Sequence, residues 1–207
     1  MKELLKKQAI LDIMVIPEHD AWLRLVSYYH DQDKHCDVFK IDNGSGDHLY
    51  ALFSAQGALL KGFDHESSLS PHQNKNNLFS SEIYGDVPSH LLQLLDESME
   101  KDDVTFCLWQ EPDETQWHRS PDANTLHQEP SSDDGGQAFL LGYIFPSAEE
   151  WYRWAVIYYE LQEEAWDAVA QLYETGEITR SMVEDLNPER EYDTILDECI
   201  VSGLLEK

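Results

Sequence analysis

Between residues 36 and 63 the apolar positions come in short dense runs, "CDVFKI", "HLYALFS" and "ALLKGF", separated by the glycine-bearing segments "NGSGD" and "AQG". Runs of this length broken by turn residues predict antiparallel strands joined as a meander. "DVTFCLW" at 103–109 and "QAFLLGYIF" at 137–145 repeat the pattern, so strands are expected at 38–41, 48–54, 58–63, 104–109 and 138–145. Elsewhere the period lengthens. In "DAWLRLVSYYH", residues 20–30, Trp22, Leu25, Val26 and Tyr29 recur at helical spacing behind Asp20, which predicts an N-terminal amphipathic helix. After Pro88, "SHLLQLLDESME" predicts a short helix. Ser147 and Glu150 have the capping-box spacing, and from there Trp151, Trp154, Ala155, Tyr158, Leu161, Ala165, Trp166, Val169, Leu172 and Tyr173 continue one apolar stripe until Gly176. Further helices are expected over 179–186, ended before Pro188, and over 191–201, stopped at Gly203.

Strands that cluster before the helices, instead of alternating with them, predict an α+β fold: an antiparallel sheet flanked by an N-terminal helix and C-terminal helices, in a single domain over 1–207. Two stretches interrupt it. His72 to Asp86 is polar and reads as a loop. Residues 110–136 hold three prolines, two adjacent glycines and several acids, and read as a long acidic loop between strands.

Charge changes the picture most. With 41 Asp and Glu against 14 Lys and Arg, the formal net charge is −27. Such a surface repels phosphate backbones and anionic lipid, so neither nucleic acid nor membrane is expected as a partner; a basic protein is. The 42% hydrophobic fraction argues against disorder. Cys36, Cys107 and Cys199 are widely spaced and odd in number, which fits a reducing cytoplasm better than a disulfide scaffold. The opening "MKELLKKQAILDIMVIPEHD" is broken by Asp12 and Glu18 and lacks a small-residue cleavage site, so no signal peptide is expected, and no run of 18 apolar residues predicts a membrane span.

Candidate chemistry concentrates in "KGFDHESSLSPH", residues 61–72, where Asp64, His65, Glu66 and His72 fall within nine residues. A zincin helix needs a second histidine where Leu69 stands, and the serines with Pro71 do not form a helix. The stretch therefore predicts a structural turn, with a looser metal site of His65, Glu66 and His72 as the alternative. "DNGSGD" lacks the alternating oxygen ligands and the twelfth-position Glu of a calcium loop and reads as a hairpin turn. His35 and Cys36, adjacent in a strand, point to opposite faces and make no nucleophile–base pair. Nucleotide-loop, nucleophile-elbow and redox motifs are missing from the sequence, and no cofactor is expected.

The ordered set "KGFDHESSLSP", "DDVTFCLW", "LLGYIFPSAEEWYRWAVIYYE" and "ITRSMVEDLNPERE" resembles a family of uncharacterised bacterial proteins that carry these motifs in the same order, covering the chain from about residue 35. In general acidic α+β character the chain is also similar to bacterial toxin-immunity proteins. Together with the charge, this implies a cytoplasmic binding domain that occludes a basic partner. Its candidate surface is read from the charges alone, where acids gather without cationic neighbours: Asp113 and Glu114 in the loop, and Glu160, Glu163 and Glu164 on the outer face of the long helix. The alternative is a metal-dependent hydrolase built on Asp64, His65, Glu66 and His72.

Overall fold

A computed structural model describes residues 1–73, 79–128 and 130–205. In chain order it contains α1 (Lys2–Val15), a 3-10 turn (Glu18–Leu23), β1 (Val26–Asp31), β2 (Cys36–Asp42), β3 (His48–Ser54), β4 (Gly57–Phe63), α2 (Ser80–Ile83), α3 (Ser89–Leu92), a 3-10 turn (Glu97–Met99), β5 (Phe106–Gln110), β6 (His118–Arg119), α4 (Ala123–His127), α5 (Gln137–Leu141), α6 (Ala148–Tyr158), α7 (Ala165–Thr175), α8 (Arg180–Leu186) and α9 (Tyr192–Ser202). The expected class holds: an antiparallel sheet, an N-terminal helix and C-terminal helices. The chain divides into two compact units, Met1–Tyr29 with Ile144–Lys207, and His30–Tyr143.

In the second unit, strand order equals chain order, and β2 to β6 pair antiparallel with their neighbours. Val38, Leu52, Leu59 and Trp109 lie opposite one another across four strands, so a single face of the pleat collects their side chains. That face is covered by Leu69, Phe79, Ile83, Leu91, Leu94 and Met99 from the β4–β5 connection. The same face carries Lys61, which is fully buried. Its ammonium donates to the carbonyls of Met99 (2.9 Å) and Glu100 (2.7 Å), approaches His48 Nε2 at 3.1 Å and lies 5.1 Å from the Tyr50 ring centroid. Burial pulls the Lys61 pKa down to about 8, and burial together with Lys61 pulls His48 down to about 4. Neutral His48 thus accepts at Nε2 and directs Nδ1–H at the Glu100 carboxylate, 3.1 Å away. All three ammonium hydrogens have acceptors, which is what permits a lysine inside a core.

In the first unit, α1 packs against α7, α8 and α9. The last turn of α1 contains no basic residue, and its carbonyls are satisfied from far along the chain. Arg24 donates to Ile16 O, Asn187 to Val15 O and Arg190 to Ile13 O, while the Glu198 carboxylate bridges the two arginines.

Several expectations are corrected. Residues 20–30 are not a helix: the 3-10 turn gives way at Arg24 to extended backbone and β1, and the N-terminal helix is α1. The apolar residues of 20–30 are dense enough to fit either period, since Trp22, Leu25, Val26 and Tyr29 recur at helical spacing while Leu23 and Leu25, and Val26 and Tyr28, alternate. The expected strand at 138–145 begins as α5, entered through Gly135 and Gly136 at positive φ, with Asp134 accepting the Ala138 N–H at 2.9 Å. The single stripe from Ser147 to Tyr173 is two helices, α6 and α7, parted where Glu160 adopts φ 57°. Only the first turn of the helix expected after Pro88 is α-helical. The stretch read as a loop over 110–136 contains β6 and α4, with residue 129 outside the described residues. The loop expected over 72–86 includes α2, and residues 74–78 of it lie outside the described residues.

Candidate metal centre

The β3–β4 register pairs His48 with Phe63, so the residues just beyond that pair, Asp47 and Asp64, meet at one end of the hairpin. Each is held by its own turn. Asn43 Oδ1 accepts the N–H groups of Ser45 and Asp47, and Gly44 and Gly46 supply the positive φ values that let the β2–β3 connection fold back. Beyond β4, Ser67 N–H donates to Asp64 O, Ser70 N–H to Ser67 O and Gln73 N–H to Ser70 O, a succession of turns that ties down the expected structural turn.

Asp47, 5% exposed, accepts at Oδ1 from the His65 backbone N–H (2.9 Å) and pairs there with His65 Nδ1 (2.6 Å), while its Oδ2 accepts from Asn43 (2.8 Å). Asp64 donates its N–H to Thr105 Oγ1 and accepts the Glu66 N–H at Oδ1. Gly136, at φ 79°, abuts the Asp64 carboxyl so closely that a side chain there would collide with it. Among the described residues, Asp47, Asp64 and His65 form the one group of three potential ligands whose donor atoms all lie within 4.8 Å of one another. Burial raises the Asp64 pKa, and Asp47 and Asp133 add repulsion. Burial works the same way on Asp47 but is outweighed by hydrogen bonds from Asn43 and His65, which hold its carboxyl below the usual range. The bond to Asp47 raises the pKa of exposed His65.

Of the ligands proposed from sequence, Asp64 and His65 are brought together. Glu66 is exposed and contributes its N–H to Asp64, and His72 turns to Asp103 at 3.0 Å. Asp47 was missed; its signal was the aspartate closing "NGSGD", which reads as turn chemistry alone. Asp133 was also missed. Its carboxylate accepts from Ser67 Oγ, Ser68 N–H, Ser68 Oγ and Gly135 N–H, fastening the 64–70 turns to the segment before α5.

The chain matches no family model. No curated protein and no solved structure matches it either.

The remaining sequence candidates fall elsewhere. Glu114 pairs with His118 at 2.6 Å, beside exposed Asp113 in the β5–β6 turn. Glu160, Glu163 and Glu164 are exposed between α6 and α7, not along a helix face. The three cysteines are buried and free, and burial pushes Cys36 up to about 11 and Cys199 up to about 12, with Cys107 raised further. None is a thiolate at neutral pH. No described helix is long and apolar enough to cross a membrane.

Proposed function

We propose that Asp47, Asp64 and His65 hold a divalent cation and that the protein is a metal-dependent hydrolase, with the cation seated between the 43–47 and 64–70 turns. The observation that supports this reading is the convergence of three donor atoms within 4.8 Å, on two turns fixed by separate hydrogen bonds. Two carboxylates and one imidazole suit Mn²⁺ or Zn²⁺. Three protein ligands leave positions for water and substrate, and a bound cation supplies a more acidic water or a polarised carbonyl or phosphoryl group. The chain's own contribution is orientation. Asn43 aims Asp47, Thr105 and Gly136 fix Asp64, and the His65 side chain, 45% exposed, leaves the site open to solvent.

Titration calorimetry with MnCl₂ and ZnCl₂ on the full chain tests this. One equivalent should bind, weakened at least tenfold by Asp47→Asn, Asp64→Asn or His65→Ala and unchanged by Glu66→Gln or His72→Ala. Bound metal should support hydrolysis of one class in a panel of chromogenic phosphate and carboxylate esters, abolished by chelation. If the three substitutions lower Tm while the wild type binds no cation at millimolar concentration, the cluster is only a turn clamp.

A further inference from the structure

We propose that the corner between α6 and α7 is a docking surface for a basic amphipathic helix of a partner protein. This surface lies in the first unit and is independent of the cation site. Glu149, Arg153, Val156 and Ile157 follow the spacing of one face of α6, and Glu160 follows just past the helix end. On it Ile157 is 83% exposed and Val156 36%. One turn earlier Tyr152 meets Trp166 of α7 edge to face, ring centroids 5.5 Å apart, and its hydroxyl donates to Gln162 O, which joins the two helices into one surface. Trp166 is itself 38% exposed. Trp166, Tyr152, Val156 and Ile157 thus make an apolar stripe on a chain that otherwise surrounds it with charge. A stripe of this kind, rimmed by polar groups, marks an interaction site, and its exposed aromatic edge is an anchor of the type that dominates interface energies.

The rim selects the occupant. Residues 149–167 carry six carboxylates and one cation, Arg153, which is taken up by Glu149. Glu160, Glu163, Glu164 and Asp167 have no ion-pair partner among the described residues. A second copy of this chain or an anionic membrane would bring like charge against them. A helix with leucines on one face and lysines or arginines beside them covers the stripe and neutralises the rim at once.

A fluorescein-labelled 18-residue Leu/Lys amphipathic peptide is the probe, with a Leu/Glu/Lys peptide of the same apolar face and zero net charge as its control. Stopped-flow anisotropy should show saturable binding of the basic peptide and at least tenfold weaker binding of the neutral one. Val156→Ser with Ile157→Ser should speed dissociation at least tenfold. Glu160→Lys with Glu163→Lys and Glu164→Lys should slow association at least tenfold at low salt. Glu184→Lys with Asp185→Lys and Glu189→Lys, an equal reversal on and after α8, should slow it less than threefold. Circular dichroism of each variant checks that the fold is kept. Equal losses from both reversals, or dissociation unchanged by the two serines, would overturn the proposal, as would dimerisation of the wild type abolished by those serines.

Discussion

Asp12 shows how far the interior can move a single group. It lies in α1 with no exposure, accepting the Val26 N–H at 2.6 Å and the Tyr159 hydroxyl at 2.9 Å, and Tyr159 in turn accepts the Leu25 N–H. Burial raises its pKa to about 7 against these bonds and the nearby Arg24 charge, which work to lower it. Between about pH 4 and 7 the folded state therefore holds a proton that the unfolded chain has released, and this group makes stability fall as pH rises, by about 1.4 kcal/mol per pH unit at most. Asp31, Asp42, Asp96 and Asp122 have lowered pKa values and act oppositely, losing stability only as pH falls below the ordinary carboxylate range. Asp12→Asn keeps an acceptor for Val26 and removes the charge. Urea unfolding at pH 5 and pH 8 should show the variant gaining on the wild type by about 1–3 kcal/mol across that interval. A constant difference would mean that Asp12 titrates normally.

At the scale of elements, two glycines separate packing from backbone strain. Gly62 in β4 is paired with Phe106 of β5, and a methyl group there would fall inside the Phe106 ring. Gly176 ends α7 at φ 73° with nothing within 4 Å of an added methyl group. Gly62→Ala should therefore cost about 1–3 kcal/mol through overpacking, whereas Gly176→Ala should cost about 1 kcal/mol through its left-handed conformation alone. The two are told apart by a double mutant: Phe106→Leu should recover part of the loss in Gly62→Ala and none in Gly176→Ala. Equal recovery in both would remove the ring contact as the cause.

For the molecule as a whole, a net charge of −27 means that like charges repel across a surface with few cations to interleave. Self-repulsion destabilises a compact state, and salt screens it over a Debye length that falls to about 8 Å at 0.15 M. Raising NaCl from 20 to 300 mM at pH 7.5 should raise Tm, by about 2–4 °C for each kcal/mol of repulsion relieved. A falling Tm would show that the ion pairs around Arg24, Lys34 and Arg190 outweigh the repulsion.

Local chemistry sufficed for the strands around 38–41, 48–54, 58–63 and 104–109 and for the helix ends at Ser147, Thr179, Gly176 and Gly203, because dense apolar runs, hydroxyl caps and left-handed glycines act on their immediate neighbours. It did not suffice where one run fits two periods. Residues 20–30 and 137–141 took the conformation that their surroundings could satisfy: the Leu25 and Val26 N–H groups go to Tyr159 and Asp12, and the Ala138 N–H goes to Asp134. The long stripe after Ser147 concealed its break for the same reason, since nothing in its apolar spacing marks Glu160 as left-handed. The site divides the same way. Asp64 and His65 stand out as adjacent ligand types, but Asp47, eighteen residues before His65, joins them only through the register that pairs His48 with Phe63. Sequence sets which residues can bend, bury or bind; strand register, a property of two segments at once, decides which of them meet.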